Sequence, residues 1–377
     1  MRKPVIYLAF LICLATTGAA QAQEVKGKII DLLTGNGMAD VEVSASIMCI
    51  TAFGTPGCSG TNRTKTEANG RYQVSYPFCS GGSSCATRSS SFGLGKPGYL
   101  FVERKGPNND RDFVGIRDDL PRWSNFSAAS YWPAVASEII AAAFGVDLAS
   151  RVEIANEIPL PAKLAGRTIT VIDYAGTEKQ AQLFFVSPTQ VNYLMPEGLA
   201  AGPAIVLLNG DNGFIRVNVI SMQKVFPGIF TADASGRGVA AAVILRVRAD
   251  GSRQYEPVAQ YNDAERRWVP MPIDLGPETD RIILSLFGTG WRQIGSMADV
   301  TVELIPVVDR NAPGNPVRRP AIQYAGRQPT IPGLDQINIE LPRDLVGKGE
   351  TSVAVRVKAE PNAGFDYTSN VVQIFVK

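Results

Sequence analysis

The chain of 377 residues contains no histidine. A Ser-His-Asp triad, a Cys-His pair, a histidine-ligated zinc ion and a histidine general base are therefore all excluded. Many hydrolase mechanisms depend on one of these arrangements. We therefore predict a non-catalytic protein that uses neither a metal ion nor another cofactor.

Long apolar runs are also absent, since no segment beyond the N-terminus approaches the ~20 apolar residues of a membrane-spanning helix. The N-terminus has a basic start at Arg2 and Lys3, an apolar run over 5–15 and a small-x-small site at 20–22. This pattern predicts a signal peptide over residues 1–22. We expect a secreted or extracytoplasmic mature chain, at the cell surface or in the periplasm, with no membrane insertion after signal cleavage.

A surplus of positive charge is missing as well. The chain has 37 basic and 35 acidic residues, and cleavage of the signal peptide would remove Arg2 and Lys3. Proteins that follow the phosphate backbone need a basic surplus. We therefore do not expect nucleic acid as a partner.

Four cysteines lie beyond the predicted signal peptide, all near its end of the chain: Cys49, Cys58, Cys79 and Cys85. An even number of cysteines in an exported chain predicts two disulfides, and all three pairings remain open. Their spacing does not match the short knuckles of structural zinc sites, so we predict no metal there.

Strand patterns dominate the remainder. Apolar and polar residues alternate over 41–47, 300–304 and 353–357, which places one side of each segment on a core. Asn- and Gly-rich turn signals at 34–37 and 209–213 separate such runs. Many short strands separated by such turns predict an all-β protein built from β-sandwiches.

The segment from Glu103 to Arg122 is rich in charge and predicts a solvated linker over 105–125. Asn108, Asn109, Asp110 and Asp112 could alternatively ligate calcium, which prefers oxygen ligands. Arg111 lies among them and the EF-hand pattern is absent, so we favour the linker.

An internal repeat is visible in the second half of the sequence. QVNYLMP at 190–196 recurs as QINIELP at 336–342, and the segment 139–145 is echoed by 282–288. Two features in the same order at a similar shift indicate a duplicated module. Because 282–287 has the composition of a buried strand, we also predict a strand in the Ala-rich stretch 134–144.

The N-terminal segment resembles the carboxypeptidase regulatory-like domain, a transthyretin-like β-sandwich. The resemblance rests on VKGKIID at 25–31, TG at 34–35, VEV at 41–43, TEANGRY at 66–72 and KPGY at 96–99. The two Cys-containing loops are longer than is usual for that family. The resemblance implies a non-catalytic accessory or stalk module.

From about residue 128 the chain resembles the C-terminal domain of a large paralogous family of secreted acidobacterial proteins of unassigned function. The segments that carry this resemblance lie at 139–149, 160–161, 186–192, 226–230 and 287–290. It implies paired immunoglobulin-like sandwiches and no particular chemistry.

Together these observations predict an all-β chain of three β-sandwich modules, one transthyretin-like and two immunoglobulin-like. The predicted boundaries are a signal peptide at 1–22, a first sandwich at 23–104, the linker at 105–125 and two immunoglobulin-like modules at 126–228 and 229–377.

Two amide pairs stand out among the polar residues: Gln190 with Asn192, and Gln336 with Asn338. They could bind a ligand, or they could hold the backbone at a strand entry. The duplication favours the structural role, since two modules of the same fold need the same local backbone structure.

Four tryptophans could provide a stacking surface for a sugar ring: Trp123, Trp132, Trp268 and Trp291. Trp268 lies in a polar stretch, and we expect it to be exposed and to be the one weak candidate for ligand binding. We expect the other three to pack in cores or linkers.

The function that fits best is exported, non-catalytic binding or adhesion to a protein or glycan at the cell surface. One alternative is a glycan hydrolase that uses two carboxylates. Its candidate pairs are Asp118 with Asp119, Asp263 with Glu265, and Glu278 with Asp280. The other alternative is a purely structural spacer.

Overall fold

A computed structural model describes residues 23–51, 56–77, 85–309, 317–359 and 365–377. It consists of β-strands and short 3₁₀ turns, which confirms the all-β fold class. The chain divides into two compact units: 1–120 with 174–176, and 121–173 with 177–377. The second unit contains two separate hydrophobic cores. The count of three modules remains a prediction, and the predicted signal peptide lies outside the described residues.

The described residues of the first unit form seven strands in two sheets. They are β1 (Glu24–Asp31), β2 (Glu42–Thr51), β3 (Pro56–Lys65), β4 (Arg71–Ser75), β5 (Cys85–Gly95), β6 (Tyr99–Lys105) and β7 (Arg111–Arg117). One sheet has the order β4-β1-β7-β6 and the other β3-β2-β5. Alternating residues such as Ile29, Val43 and Tyr72 are buried in the core of this unit.

The predicted linker over 105–125 is wrong, because β7 lies within it. This strand is paired with β1 on one side and β6 on the other. Residues 113–116 are buried, and the charges lie at the ends of this apolar run. Asp112 accepts a hydrogen bond from the backbone N–H of Lys28 at 2.8 Å. The high charge density thus belongs to strand ends and turns.

The first half of the second unit forms one ten-stranded sheet. Its strands are β8 (Ser124–Ser127), β9 (Ala134–Ala136), β10 (Ile140–Phe144), β11 (Glu153–Ile154), β12 (Lys163–Leu164), β13 (Arg167–Ile172), β14 (Glu178–Val186), β15 (Gln190–Leu194), β16 (Gly202–Gly210) and β17 (Ile215–Gln223). The main path is β8-β10-β15-β14-β13-β16-β17-β9. The strand predicted in the Ala-rich segment is confirmed by β10.

The second half of this unit forms two main sheets and a separate hairpin. Its strands are β18 (Gly228–Ile229), β19 (Gly238–Val239), β20 (Ala242–Val247), β21 (Arg253–Pro257), β22 (Ala259–Asn262), β23 (Arg267–Pro270), β24 (Arg281–Thr289), β25 (Val300–Pro306), β26 (Ile322–Arg327), β27 (Asp335–Glu340), β28 (Gly349–Lys358), β29 (Asp366–Thr368) and β30 (Val372–Val376). The sheet orders are β21-β20-β24-β27-β26 and β19-β30-β28-β25. Among the strands of the described residues, β22 pairs with β23 alone.

The 3₁₀ turns cover Pro107–Asn109, Asp211–Gly213, Met297–Asp299, Val307–Asp309 and Arg343–Leu345. Each is a single short turn between strands, as is usual for this conformation. No helix in the described part of the chain has the length and apolar character needed to cross a membrane.

The internal repeat is confirmed by strand register. Phe144 of β10 lies opposite Gln190 of β15, and Phe287 of β24 lies opposite Gln336 of β27. Both pairs of strands are antiparallel. The repeated sequence motifs therefore form the same strand pair in each half of the second unit.

Specific contacts join the two halves. The backbone N–H of Ile140 donates to the Thr289 hydroxyl at 3.1 Å, and that hydroxyl donates to the Gly333 carbonyl at 2.8 Å. Tyr131 donates to the Ala234 carbonyl at 2.6 Å. Because Thr289 is fully buried, its two hydrogen bonds satisfy a polar group within the interface.

Candidate functional site

The β22–β23 hairpin carries a pair of exposed aromatic rings. Tyr261 and Trp268 lie directly opposite each other across the two strands. Their ring centroids are 5.9 Å apart, and the ring planes meet at 72° in an edge-to-face arrangement. This is a favourable geometry for two aromatic quadrupoles. The cross-strand register therefore fixes both rings on one face of the hairpin.

The connecting turn is held by Asn262. Its side-chain oxygen accepts hydrogen bonds from the backbone N–H groups of Ala264 at 3.0 Å and Glu265 at 3.2 Å. This is an Asx turn, which asparagine favours because its short side chain mimics a backbone carbonyl. Glu265 also accepts from Arg267 at 2.6 Å. The turn thus limits the spread of the two strands beneath the aromatic pair.

The aromatic pair is accessible to a ligand. Trp268 is 40% exposed and Tyr261 is 49% exposed. The rings pack on each other and leave apolar surface facing solvent. Such a surface can receive the C–H face of a pyranose ring or an apolar side chain. The predicted exposure of Trp268 is confirmed, whereas its role in binding stays a prediction.

Sequence reasoning missed Tyr261. The signal that could have found it is the spacing of the hairpin: Asn262 begins a short polar turn, so Tyr261 and Trp268 fall at facing positions. Trp123 and Trp291 are buried, as expected. Trp132 is 42% exposed, contrary to the expectation that it packs away, although its ring contacts Phe226 edge-on at 5.9 Å.

The three candidate carboxylate pairs each have a member engaged in an ion pair. One member of each pair is bound by an arginine: Asp119 by Arg117, Glu265 by Arg267, and Asp280 by Arg246. None of the six residues lines either of the two grooves identified in the described chain.

The proposed calcium ligands take part in separate local contacts. Asn108 and Asn109 occupy a left-handed turn, and the Asp112 carboxylate is engaged by the backbone of Lys28. No group of three or more His, Cys, Asp or Glu residues arranged to hold a metal occurs among the described residues. The four cysteine side chains of the disulfide prediction, from Cys49, Cys58, Cys79 and Cys85, lie outside the described residues.

The amide pairs make the same contact in both halves of the second unit. The Gln190 side chain donates to Asn192 at 2.9 Å, and the Gln336 side chain donates to Asn338 at 2.8 Å. Each pair therefore satisfies part of its own hydrogen-bonding capacity. The contact joins two side chains on one strand face, and not a side chain to the strand-entry backbone.

A buried ionic cluster lies where the two halves meet, and sequence reasoning did not find it. The Asp335 carboxylate is fully buried and accepts hydrogen bonds from the backbone N–H groups of Trp291 and Arg292 at 3.0 and 3.2 Å. The Arg292 guanidinium donates to it at 2.7 Å. Burial raises the pKa of Asp335 to about 6, although the Arg292 charge acts to lower it.

Glu138 extends this cluster from the first half. It is buried with a left-handed backbone (φ 61°), and it accepts from Arg327 at 2.9 Å. Arg292 lies 3.8 Å from its other carboxylate oxygen. Two buried carboxylates therefore share the arginines of the second half, which favours a structural role at the interface.

An apolar groove of about 540 Å³ lies on the second unit. Its lining includes Ile158, Leu160 and Phe184 from the first half and Ile331 from the second. Ile158 and Ile331 are exposed. The groove offers apolar surface with few polar groups to orient a small ligand, so the aromatic pair remains the better candidate.

No protein-family model matches the chain, and no curated protein matches it. Both family resemblances therefore stay predictions. A surface glycan-binding protein of a Bacteroides ovatus mixed-linkage glucan utilization locus, solved with a mixed-linkage heptasaccharide, is 9% identical over 98% of this chain and 70% of its own, with a TM-score of 0.27.

Two Lactobacillus rhamnosus GG pilus proteins are similar at the same distant level. The shaft pilin SpaA is 11% identical over 53% of this chain and 94% of its own, with a TM-score of 0.18. The pilus adhesin SpaC is 10% identical over 92% of this chain and 38% of its own, also with a TM-score of 0.18. All three TM-scores lie below 0.5, so these similarities assign no function to the chain.

Proposed function

We propose that this chain is an exported, non-catalytic surface-binding protein that recognises a glycan through Tyr261 and Trp268. The observation that carries the proposal is the exposed edge-to-face ring pair on a hairpin outside both main sheets of its half. A hairpin in this position can present its rings without disturbing the packed core.

The chemistry of the pair favours a sugar over a purely apolar partner. A pyranose offers C–H groups on its faces and hydroxyls around its edge. The rings supply apolar contact. The half-exposed side chains of Glu265 on the adjoining turn and Arg267 at the start of β23 supply charged hydrogen-bonding groups. The missing histidines add support, since they exclude imidazole-based catalysis.

The test is a glycan array with residues 23–377, followed by titration calorimetry on any glycan that binds. We expect saturable binding that Trp268→Ala and Tyr261→Ala each weaken at least tenfold, the size of effect found for central aromatic contacts. Tyr255→Ala is the matched control, since Tyr255 is 71% exposed on β21 and makes no ring contact among the described residues. If all three variants lose glycan affinity equally, or if none of them loses affinity, the aromatic pair is not the binding site.

The two alternatives give distinct outcomes. Turnover of a bound glycan that is lost on replacing one of the candidate carboxylates would indicate a hydrolase. Absence of binding across the array would favour the structural spacer.

A further inference from the structure

Two arginines lie over one aromatic ring at the turn between β16 and β17. The guanidinium carbon of Arg167 is 3.7 Å from the centroid of the Phe214 ring, and that of Arg216 is 4.5 Å from it. Both distances are typical of cation–π contacts. Two positively charged side chains therefore contact the same neutral ring.

Backbone contacts fix both arginines in place. Arg167 donates from Nε to the Leu148 carbonyl at 2.6 Å, and Arg216 donates from Nη1 to the Ile215 carbonyl at 3.1 Å. Gly210 leaves the space that Arg167 occupies, since a Cβ atom there would lie 2.0 Å from Arg167 Nη1. The backbone of Gly210 is extended (φ −155°), so glycine is needed here for space and not for conformation.

The charge around this ring is not balanced. Lys163 lies 3.5 Å from the Asp211 carboxylate, and Asp211 also acts on Arg167. The exposed Asp211 carboxylate therefore acts on both Lys163 and Arg167. Burial is the main cause that lowers the pKa of Arg167. The Asp211 charge acts to raise this pKa, and the Arg216 charge acts to lower it. The half-buried position makes the repulsion between the guanidinium groups stronger than it would be in water.

We propose that Arg167 and Arg216 form a binding site for an oxyanion group, a carboxylate or a sulfate ester, on an extracellular ligand. Guanidinium groups bind such groups through pairs of parallel N–H donors. Each arginine already uses one donor on a carbonyl and retains others. A bound anion would offset the repulsion between the two cations, and this would contribute favourably to the free energy of binding. This site is independent of Tyr261 and Trp268.

The experiment measures thermal unfolding and calorimetric binding with three probes: sodium sulfate, sodium glucuronate and neutral glucose, all at one ionic strength set with sodium chloride. We expect one or both anions to bind and to raise the unfolding temperature, with glucose inactive. Arg216→Gln should weaken anion binding roughly tenfold, the loss of one charge-assisted contact. Arg253→Gln, an exposed arginine on β21, is the charge-matched control and should bind as wild type does.

The same variants separate binding from packing. Without an anion, Arg216→Gln should unfold at the same or a higher temperature than wild type, because it removes a like charge. Arg216→Lys retains the charge without the planar fork and should bind with intermediate affinity. If Arg216→Gln destabilises the protein equally with and without anions, or if neither anion binds to wild type, the proposal is overturned. Stronger binding of glucuronate indicates a carboxylate ligand, and stronger binding of sulfate a sulfate ester.

Discussion

The two halves of the second unit share a scaffold but use it differently. The strand pairs β10–β15 and β24–β27 have the same register, and a parallel strand closes each half: β9 on β17 and β19 on β30. In the first half β9 leads directly to β10. In the second half β20 to β23 lie between β19 and β24, and they carry Tyr261 and Trp268. The repeated pairing builds the cores, whereas the inserted hairpin is free to carry a binding surface.

The halves also anchor the loop after the shared strand differently. In the first half the N–H of Leu148 donates to a backbone carbonyl, that of Pro188, at 2.8 Å. In the second half the N–H of Trp291 donates to the Asp335 carboxylate. A backbone acceptor carries no net charge. The buried carboxylate requires Arg292 as a partner, so an ionic cluster forms at the interface between the halves.

The largest expected effect tests this difference. Asp335→Ala leaves Arg292 buried without its main partner, so we expect a loss of roughly 3–5 kcal/mol in the free energy of unfolding. Thr189→Ala, at the corresponding position in the first half, should cost less than about 0.5 kcal/mol because the anchor there is backbone. Urea unfolding of both variants measures the contrast. Similar losses at the two positions would refute the proposed difference in anchoring.

The second prediction concerns pH. The folded-state pKa of Asp335, about 6, lies above its unfolded value of 3.8, so the folded chain holds this proton more tightly. Its contribution to stability is therefore fully present below about pH 3.8 and is lost as the pH rises through about 6. Relative to Asp335→Asn, wild type should lose roughly 2–3 kcal/mol between about pH 4 and about pH 7. A difference between the two proteins that does not change with pH would contradict this.

The third prediction concerns the inserted hairpin. A double-mutant cycle on Tyr261→Ala and Trp268→Ala should give a coupling energy of roughly 0.5–1 kcal/mol, since both rings are partly exposed. Chemical unfolding of the two single variants and the double variant provides the value. A coupling near zero would mean that the two rings do not hold each other in place.

The fourth prediction concerns the repeated amide pairs, whose effect should be modest and equal in the two halves. Gln190→Ala and Gln336→Ala each remove one side-chain hydrogen bond to an asparagine on the same strand face, so each should cost roughly 0.5–1.5 kcal/mol. Unfolding measurements on the two variants should agree with each other. A large effect in only one half would show that the repeated motif has a separate role there.

Local patterns were sufficient to predict much of the fold. Alternation over 300–304 and 353–357 corresponds to β25 and β28, which pair with each other. The Ala-rich segment was recognised as a strand only through its repeat, because alanine itself favours helices. Charge density misled the prediction at β7, since a short buried run between charged ends has the composition of a linker.

The sites were less accessible to sequence reasoning because they depend on contacts between distant residues. Trp268 was found from its polar surroundings, but Tyr261 required the cross-strand register. Arg167 on β13 and Arg216 on β17 are separated in the sheet by β16, and both contact Phe214. No local pattern marks the three as a group. The same holds for Asp335 and Glu138, which lie in different halves.

The sequence by itself determined the all-β class, the duplicated strand pair and the absence of imidazole chemistry, because composition and short-range periodicity encode these features. Tertiary structure decided which polar groups become buried together. It alone set the charge of the interface between halves and the ring pair on the hairpin, since desolvation and mutual contact arise only when the strands are packed.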